Sequence, residues 1–171
     1  GKILDAINEG IIAIKIDPNY EYGHSLLAGM YQQIGNLSRA LHHQKKSLIL
    51  LKNIHGENHH LYTGKLIDLG YTFDLMGNAK QANDNYKRAI NISENYLLEN
   101  PNRYIETLLN VATRLALQRG GEEELKLLKK AKTISLSTTG VSDAIKAKVK
   151  SKLGMAYVLR GKFKEGEYEL K

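Results

Sequence analysis

The chain has 171 residues, 42% hydrophobic and 25% charged, with a formal net charge of +7, two prolines, and neither cysteine nor tryptophan. That length fits one compact domain or a short solenoid, and the lack of cysteine excludes disulfides, thiolate metal sites and a cysteine nucleophile. No apolar run approaches the roughly 18 residues of a membrane span, and the opening GKILDAINEG is not a basic-then-apolar leader.

A cysteine-free chain fits a reducing compartment, so a cytoplasmic location is expected. The charge is unevenly spread. Residues 1–85 carry 8 Lys+Arg against 8 Asp+Glu, whereas residues 86–171 carry 17 against 10. From Leu125 to Lys164 there are eleven Lys or Arg and a single acid, Asp143. Such a stripe attracts acidic peptides or other polyanions, or simply keeps a helical array in solution.

In chain order, residues 1–20 read as one amphipathic helix closed by Asp17-Pro18-Asn19, because proline removes a donor and restrains its neighbour. Ile3, Leu4, Ile7, Ile11, Ile12, Ile14 and Ile16 are too many apolar residues for a one-sided helix. A preceding helix is therefore expected, and with it a segment cut from a longer protein. Residues 21–62 read as two helices around Gly35-Asn36, with Leu27, Ala28 and Tyr31 on the first, and Ala40 and Ser47 on the second. Residues 63–104 repeat this most clearly. Leu66, Leu69, Gly70 and Phe73 fall at helical spacing, Gly77-Asn78 turns the chain, and Ala82, Tyr86, Ala89 and Ile90 mark the second helix. Small residues at Gly70, Ala82 and Ala89 let two helix axes come close.

Residues 105–146 carry the pattern in weaker form. Val111, Ala112 and Leu115 precede Arg119 at the glycine place and then Gly120-Gly121, which suggests a turn shifted by one residue. Glu124 stands where a small residue is usual. Residues 147–171 begin a last unit, with Leu153, Gly154, Tyr157, Gly161 and Gly166. Ala28, Gly70, Ala112 and Gly154 follow one another at 42 residues. Each has an apolar residue before it and Tyr, Phe or Leu three after it, and that recurrence defines the period.

The pattern L-G-x-x-F, G-N, A-x-x-x-Y-x-x-A resembles the tetratricopeptide repeat. The 42-residue period and the Gly56-Glu57-Asn58-His59-His60 link are similar to the kinesin light chain type, with His60 in place of its proline. The resemblance implies an all-α, right-handed superhelical solenoid of antiparallel helix pairs. Residues 1–20 would be the second helix of a partial repeat, 21–62, 63–104 and 105–146 full repeats, and 147–171 a partial one. It further implies a scaffold that binds a protein or peptide in a concave groove lined by the first helices, within a larger regulatory or assembly protein.

On that geometry the groove-facing residues are Ser25, Gly29 and Gln32, then Ile67, Asp68, Tyr71 and Asp74. Glu106, Leu109, Asn110 and Thr113 follow, then Lys148, Ser151, Lys152 and Met155. The expected peptide contacts are Tyr71, Asp74, Asn110, Thr113, Lys148 and Lys152: a tyrosine anchor, an asparagine main-chain clamp and two lysines for an acidic partner. Some tetratricopeptide domains hold two carboxylates with five residues. Asn110, Lys148 and Lys152 match three of those places, and Ile67 and Tyr71 stand where the first two belong.

Other chemistry is poorly supported. His42-His43 and His59-His60 are adjacent pairs that diverge on a helix, so they read as surface residues and no metal or cofactor is expected. Glu122-Glu123-Glu124 reads as an acidic first turn favoured by the helix dipole. None of the phosphate-loop, zinc-protease or nucleophile-elbow motifs occurs, so no enzyme is expected. Nucleic acid would need stacking aromatics, and the basic stretch has only Tyr157 and Phe163, both at packing positions. Polyanion binding there, ligand sensing in a bacterial regulator, and self-association through exposed terminal helices are the alternatives.

Overall fold

The computed structural model describes residues 1–118 and 121–171. Among these there are nine α-helices and no strand: α1 (Lys2–Ile16), α2 (Glu21–Gln33), α3 (Leu37–His55), α4 (His60–Leu75), α5 (Ala79–Glu94), α6 (Pro101–Gln118), α7 (Glu122–Ser137), α8 (Asp143–Val158) and α9 (Phe163–Leu170). They fall into two compact units, Gly1–Ile92 and Ser93–Lys171. The fold is all-α and built from helical hairpins of the tetratricopeptide type.

One turn is used three times. Gly35, Gly77 and Gly161 adopt φ of 74°, 75° and 73°, a left-handed conformation that a side chain makes costly. The residue after each glycine donates its amide to a carbonyl five residues back: Asn36 to Tyr31 at 2.8 Å, Asn78 to Phe73 at 2.8 Å, and Lys162 to Tyr157 at 3.0 Å. This closure satisfies carbonyls that the helix end would leave bare. Asn36 and Asn78 then start the next helix, their side chains accepting from Arg39 N and Gln81 N, each at 3.2 Å. The expected turn at Arg119 and Gly120 lies outside the described residues. Gly121 caps α7 at φ 106°.

Within the first unit α1 packs on α2, α2 on α3 and α3 on α4. Ile7, Leu27, Tyr31 and Ala40 form one buried cluster, with Ile11 and Ile14 partly packed against it. Ile3, Leu4, Ile12 and Ile16 are exposed. The α4–α5 hairpin is tight because Gly70 has no side chain. A Cβ there would stand 2.6 Å from the Tyr86 ring and 3.1 Å from the Ala82 carbonyl oxygen. Ala82 and Ala89 are wholly buried. Ala82→Leu is therefore expected to cost about 1–3 kcal/mol by overpacking, read as a lower urea midpoint at unchanged slope.

In the second unit α6 packs on α7, α7 on α8 and α8 on α9, and the two first helices α6 and α8 also touch. Gly154 and Gly166 let α8 and α9 meet backbone to backbone: a Cβ on Gly154 would sit 3.2 Å from the Gly166 carbonyl oxygen. At the start of α7, Glu124 is not part of a solvated acidic turn. It is buried and paired with Arg160 at 2.5 Å, while Glu122 and Glu123 remain exposed. Arg160 also donates to the carbonyls of Ala156 and Gly121, both at 2.8 Å. The acid at the usual small position is thus held by a guanidinium at the end of α8.

Candidate peptide-binding face

In the second unit α6 and α8 touch, and the residues expected to face a groove lie on them. Asn110 is exposed on α6, with half-buried Thr113 one turn later. Lys148 is exposed on α8, with half-buried Lys152 one turn later. The Lys152 ammonium donates to Thr113 Oγ1 at 2.7 Å, and the Thr113 hydroxyl donates to the Leu109 carbonyl at 2.7 Å. That hydrogen bond joins the two helices and fixes the ammonium.

Lys152 makes no ion pair with a described residue. Burial, and then the Lys148 charge, hold its pKa below the ordinary lysine value, with Glu124 opposing them to a lesser degree. Beside the ammonium lies a cavity of about 150 Å³ whose wall includes Ala116, Leu128, Met155 and Leu159, with Glu124, already paired with Arg160, also on it. The arrangement is a partly desolvated cation next to a mainly apolar hollow, which suits an anionic group carried on an apolar neighbour. Met155 and Leu159 follow Lys152 at three and seven residues, so helical spacing brings them beside it. Ala116 and Leu128 come from other helices, and no local pattern ties them to the lysine.

Tyr71 and Asp74 belong to the first unit. Tyr71 is half-buried on α4. Asp74 is engaged within its hairpin, its Oδ2 accepting the Tyr86 hydroxyl at 2.9 Å. Ser25, Gly29 and Gln32 on α2 border a second cavity, of about 170 Å³, with Lys65 and Asp68 of α4.

Ile67 and Leu109 are corrections to the groove list, because they are 4% and 0% exposed. A first helix in a repeat array is packed by its own partner and by neighbouring hairpins, so its buried sector is wider than one hairpin implies. Phe163 is another correction. It is 67% exposed at the start of α9, not packed.

The histidines also differ from expectation. His24 and His43 are buried, their Nδ1 atoms 3.0 Å apart. His24 Nε2 lies 3.1 Å from the Pro18 carbonyl, which only accepts. So Nε2 of His24 carries its proton, and Nδ1 of His24 accepts from Nδ1–H of His43. The His43 ring stacks on Tyr31 at 5.6 Å. Burial, followed by the charges of His24, His42 and Arg39, lowers the His43 pKa from 6.5 to about 4. The folded state therefore takes up its proton later than the unfolded chain does. Stability is full above pH 6.5, falls as pH drops, and has lost this contribution below pH 4, about 2 kcal/mol after discounting for residual hydration. Urea midpoints at pH 7.5 and 5 are expected to diverge in the wild type and to draw together in His43→Phe.

His55 and His59 stack at 4.4 Å, and His59 and His60 lie 4.3 Å apart, although Gly56 ends α3 between them. No group of three or more His, Asp or Glu suited to a metal occurs among the described residues. Among them, too, no helix is long and apolar enough to cross a membrane.

These hairpins and their recurring turn define a class, the helical-repeat scaffold. Residues 22–95 match the tetratricopeptide repeat model, and the chain shares the fold of such repeats. Three solved structures share the fold. The nearly identical TPR-like repeats of a Podosopora anserina protein named for kinesin light chain align with TM-score 0.74 and 17% identity, over 99% of this chain and 84% of that one. BtubC (BKLC) from P. vanneervenii aligns with TM-score 0.65 and 18% identity, over 88% of this chain and 60% of that one. MamA aligns with TM-score 0.55 and 18% identity, over 96% and 82%. No curated protein matches by sequence. The chain thus spans 60% of the length of BtubC. Tetratricopeptide repeats are in general protein-interaction scaffolds.

Proposed function

We propose that this chain binds a protein or peptide through the first-helix face of its repeats, with the α6–α8 face as the principal contact. The observation that carries this reading is Lys152: a half-buried ammonium, fixed by Thr113 and without an ion pair to a described residue, beside an apolar hollow. A fold gains little from such a lysine; an acidic partner supplies the missing charge. Lys148 adds a second cation at the rim, and Asn110 offers an amide donor and acceptor to a bound main chain. The role is binding rather than catalysis, in the cytoplasm, as one module of a regulatory or assembly protein.

The test is retention from cell lysate on the purified chain, comparing wild type with Lys148→Glu/Lys152→Glu, each with and without nuclease. The expected result is a protein held by wild type, insensitive to nuclease and lost from the double variant. A second reading, polyanion binding by the basic half, is favoured by exposed Phe163 between Lys162 and Lys164. Retention that vanishes with nuclease supports that reading and overturns the first.

A further inference from the structure

We infer that Lys152 is an acyl-acceptor lysine: its amine takes a short acyl group from a thioester, and the acyl chain lies in the hollow beside it. The amide that results carries no charge, so acylation switches off the peptide-binding face. That consequence rests on the peptide-binding reading above, whereas the acyl transfer itself does not.

A lysine is a nucleophile only when its amine is deprotonated and its lone pair is not held by a donor. The Thr113 hydroxyl gives its one hydrogen to the Leu109 carbonyl at 2.7 Å, so toward Lys152 it only accepts, taking an N–H from Nζ at 2.7 Å. The contact fixes the amine without occupying its lone pair. Glu124, on the same wall, is an acceptor already engaged by Arg160. Lys152 makes no ion pair with a described residue, whereas Lys130 and Lys132 of α7 pair with Glu94 and Glu169. Burial, and then the Lys148 charge, favour the neutral amine.

The hollow supplies a seat for the acyl chain. Its wall combines buried Ala112, Leu128 and Ala156 with exposed Ala116, Met155 and Leu159, so it is apolar inside and open to solvent. At about 150 Å³ it has room for a short aliphatic chain.

In the transfer, Nζ attacks the thioester carbonyl carbon and the C=O electron pair moves to oxygen, where the Lys148 charge favours the oxyanion. Collapse re-forms the carbonyl and breaks the C–S bond. The sulfur leaves with that electron pair and takes the proton lost by nitrogen. The products are a neutral secondary amide and a free thiol.

The experiment incubates the full chain with the acetyl and butyryl thioesters of N-acetylcysteamine and follows each lysine by peptide mass spectrometry. At pH 7.5 Lys152 is expected to acylate about fivefold faster than exposed Lys126. Its rate is expected to level off below pH 10.5, the ordinary lysine value. Lys148→Gln is expected to slow it about threefold. Butyryl transfer is expected to outrun acetyl about threefold at Lys152 alone, and Met155→Gln/Leu159→Gln, at exposed positions, to abolish that preference. A Lys152 rate no higher than that of Lys126 overturns the inference, as does a butyryl preference that is absent or survives the rim variant.

Retention of an acidic partner tells the two readings apart. Butyrylated wild type and Lys152→Met are expected to lose it alike. If Lys152→Met loses the partner and the butyrylated chain keeps it, the switch is overturned. If both keep it, the peptide-binding face and the switch fall together, while the acyl-acceptor site stands on its rates.

Discussion

Lys148→Glu/Lys152→Glu is expected to weaken binding of an acidic partner about 100-fold, the largest functional effect of any substitution on this face. The magnitude follows from Lys152, whose ammonium is already partly desolvated. An anion that meets it has little further desolvation to overcome on the protein side, and a charge-assisted hydrogen bond to a fixed donor is among the stronger contacts available. Reversing the charge replaces that contact with repulsion at close range. Lys126→Glu, on the exposed surface of α7, is expected to change affinity less than about threefold, because a solvated charge outside the contact acts mainly through screened long-range steering.

The companion variant Lys152→Met separates function from folding. A lysine whose folded environment disfavours its charge contributes nothing to stability through that charge. Methionine keeps most of the stem and loses the Thr113 hydrogen bond. Its urea midpoint is expected to equal or exceed the wild-type value while affinity falls at least tenfold. A parallel loss of both would mean that Lys152 serves the fold.

Arg160→Ala is expected to destabilise the second unit by about 3 kcal/mol, the largest stability effect of a surface-accessible residue here. Glu124 is 7% exposed and Arg160 is its partner at 2.5 Å, so removing the guanidinium strands a carboxylate in the interior. It also frees the Ala156 and Gly121 carbonyls that close the end of α8 and cap α7. Adding Glu124→Ala removes the stranded charge and restores the small residue that the repeat favours. The double variant is expected to recover about 2 kcal/mol of the loss, a coupling that a denaturation cycle over the four proteins measures directly.

The parts of the fold that were legible in the sequence are those with one local solution. A helix that must reverse at Gly35, Gly77 or Gly161 needs positive φ, and Asn36 and Asn78 cap the helices that follow the first two, so the hairpins could be read from a few residues. The close approach at Gly70 was equally legible, since Tyr86 and Ala82 face it at a fixed offset along the repeat.

The interactions that were not legible join residues far apart in the chain. His24 and His43 are 19 positions apart, and Glu124 and Arg160 are 36. Each pair becomes visible only once two helices meet. Ile67 and Leu109 were assigned to the groove by register alone, and packing from neighbouring hairpins buries them. For the candidate site, the stripe of Asn110, Thr113, Lys148 and Lys152 came from repeat register. The Thr113–Lys152 bond and the apolar hollow needed the juxtaposition of α6, α7 and α8.

The central claim is that the first-helix face holds the partner. Its most direct test is paramagnetic broadening of amide resonances by a spin-labelled copy of a peptide the chain retains. The account predicts strong broadening at Asn110, Lys148, Lys152 and Met155 on α6 and α8, relieved by Lys152→Glu. Broadening centred on Lys126 and Lys129 of α7, with α6 and α8 untouched, would contradict it.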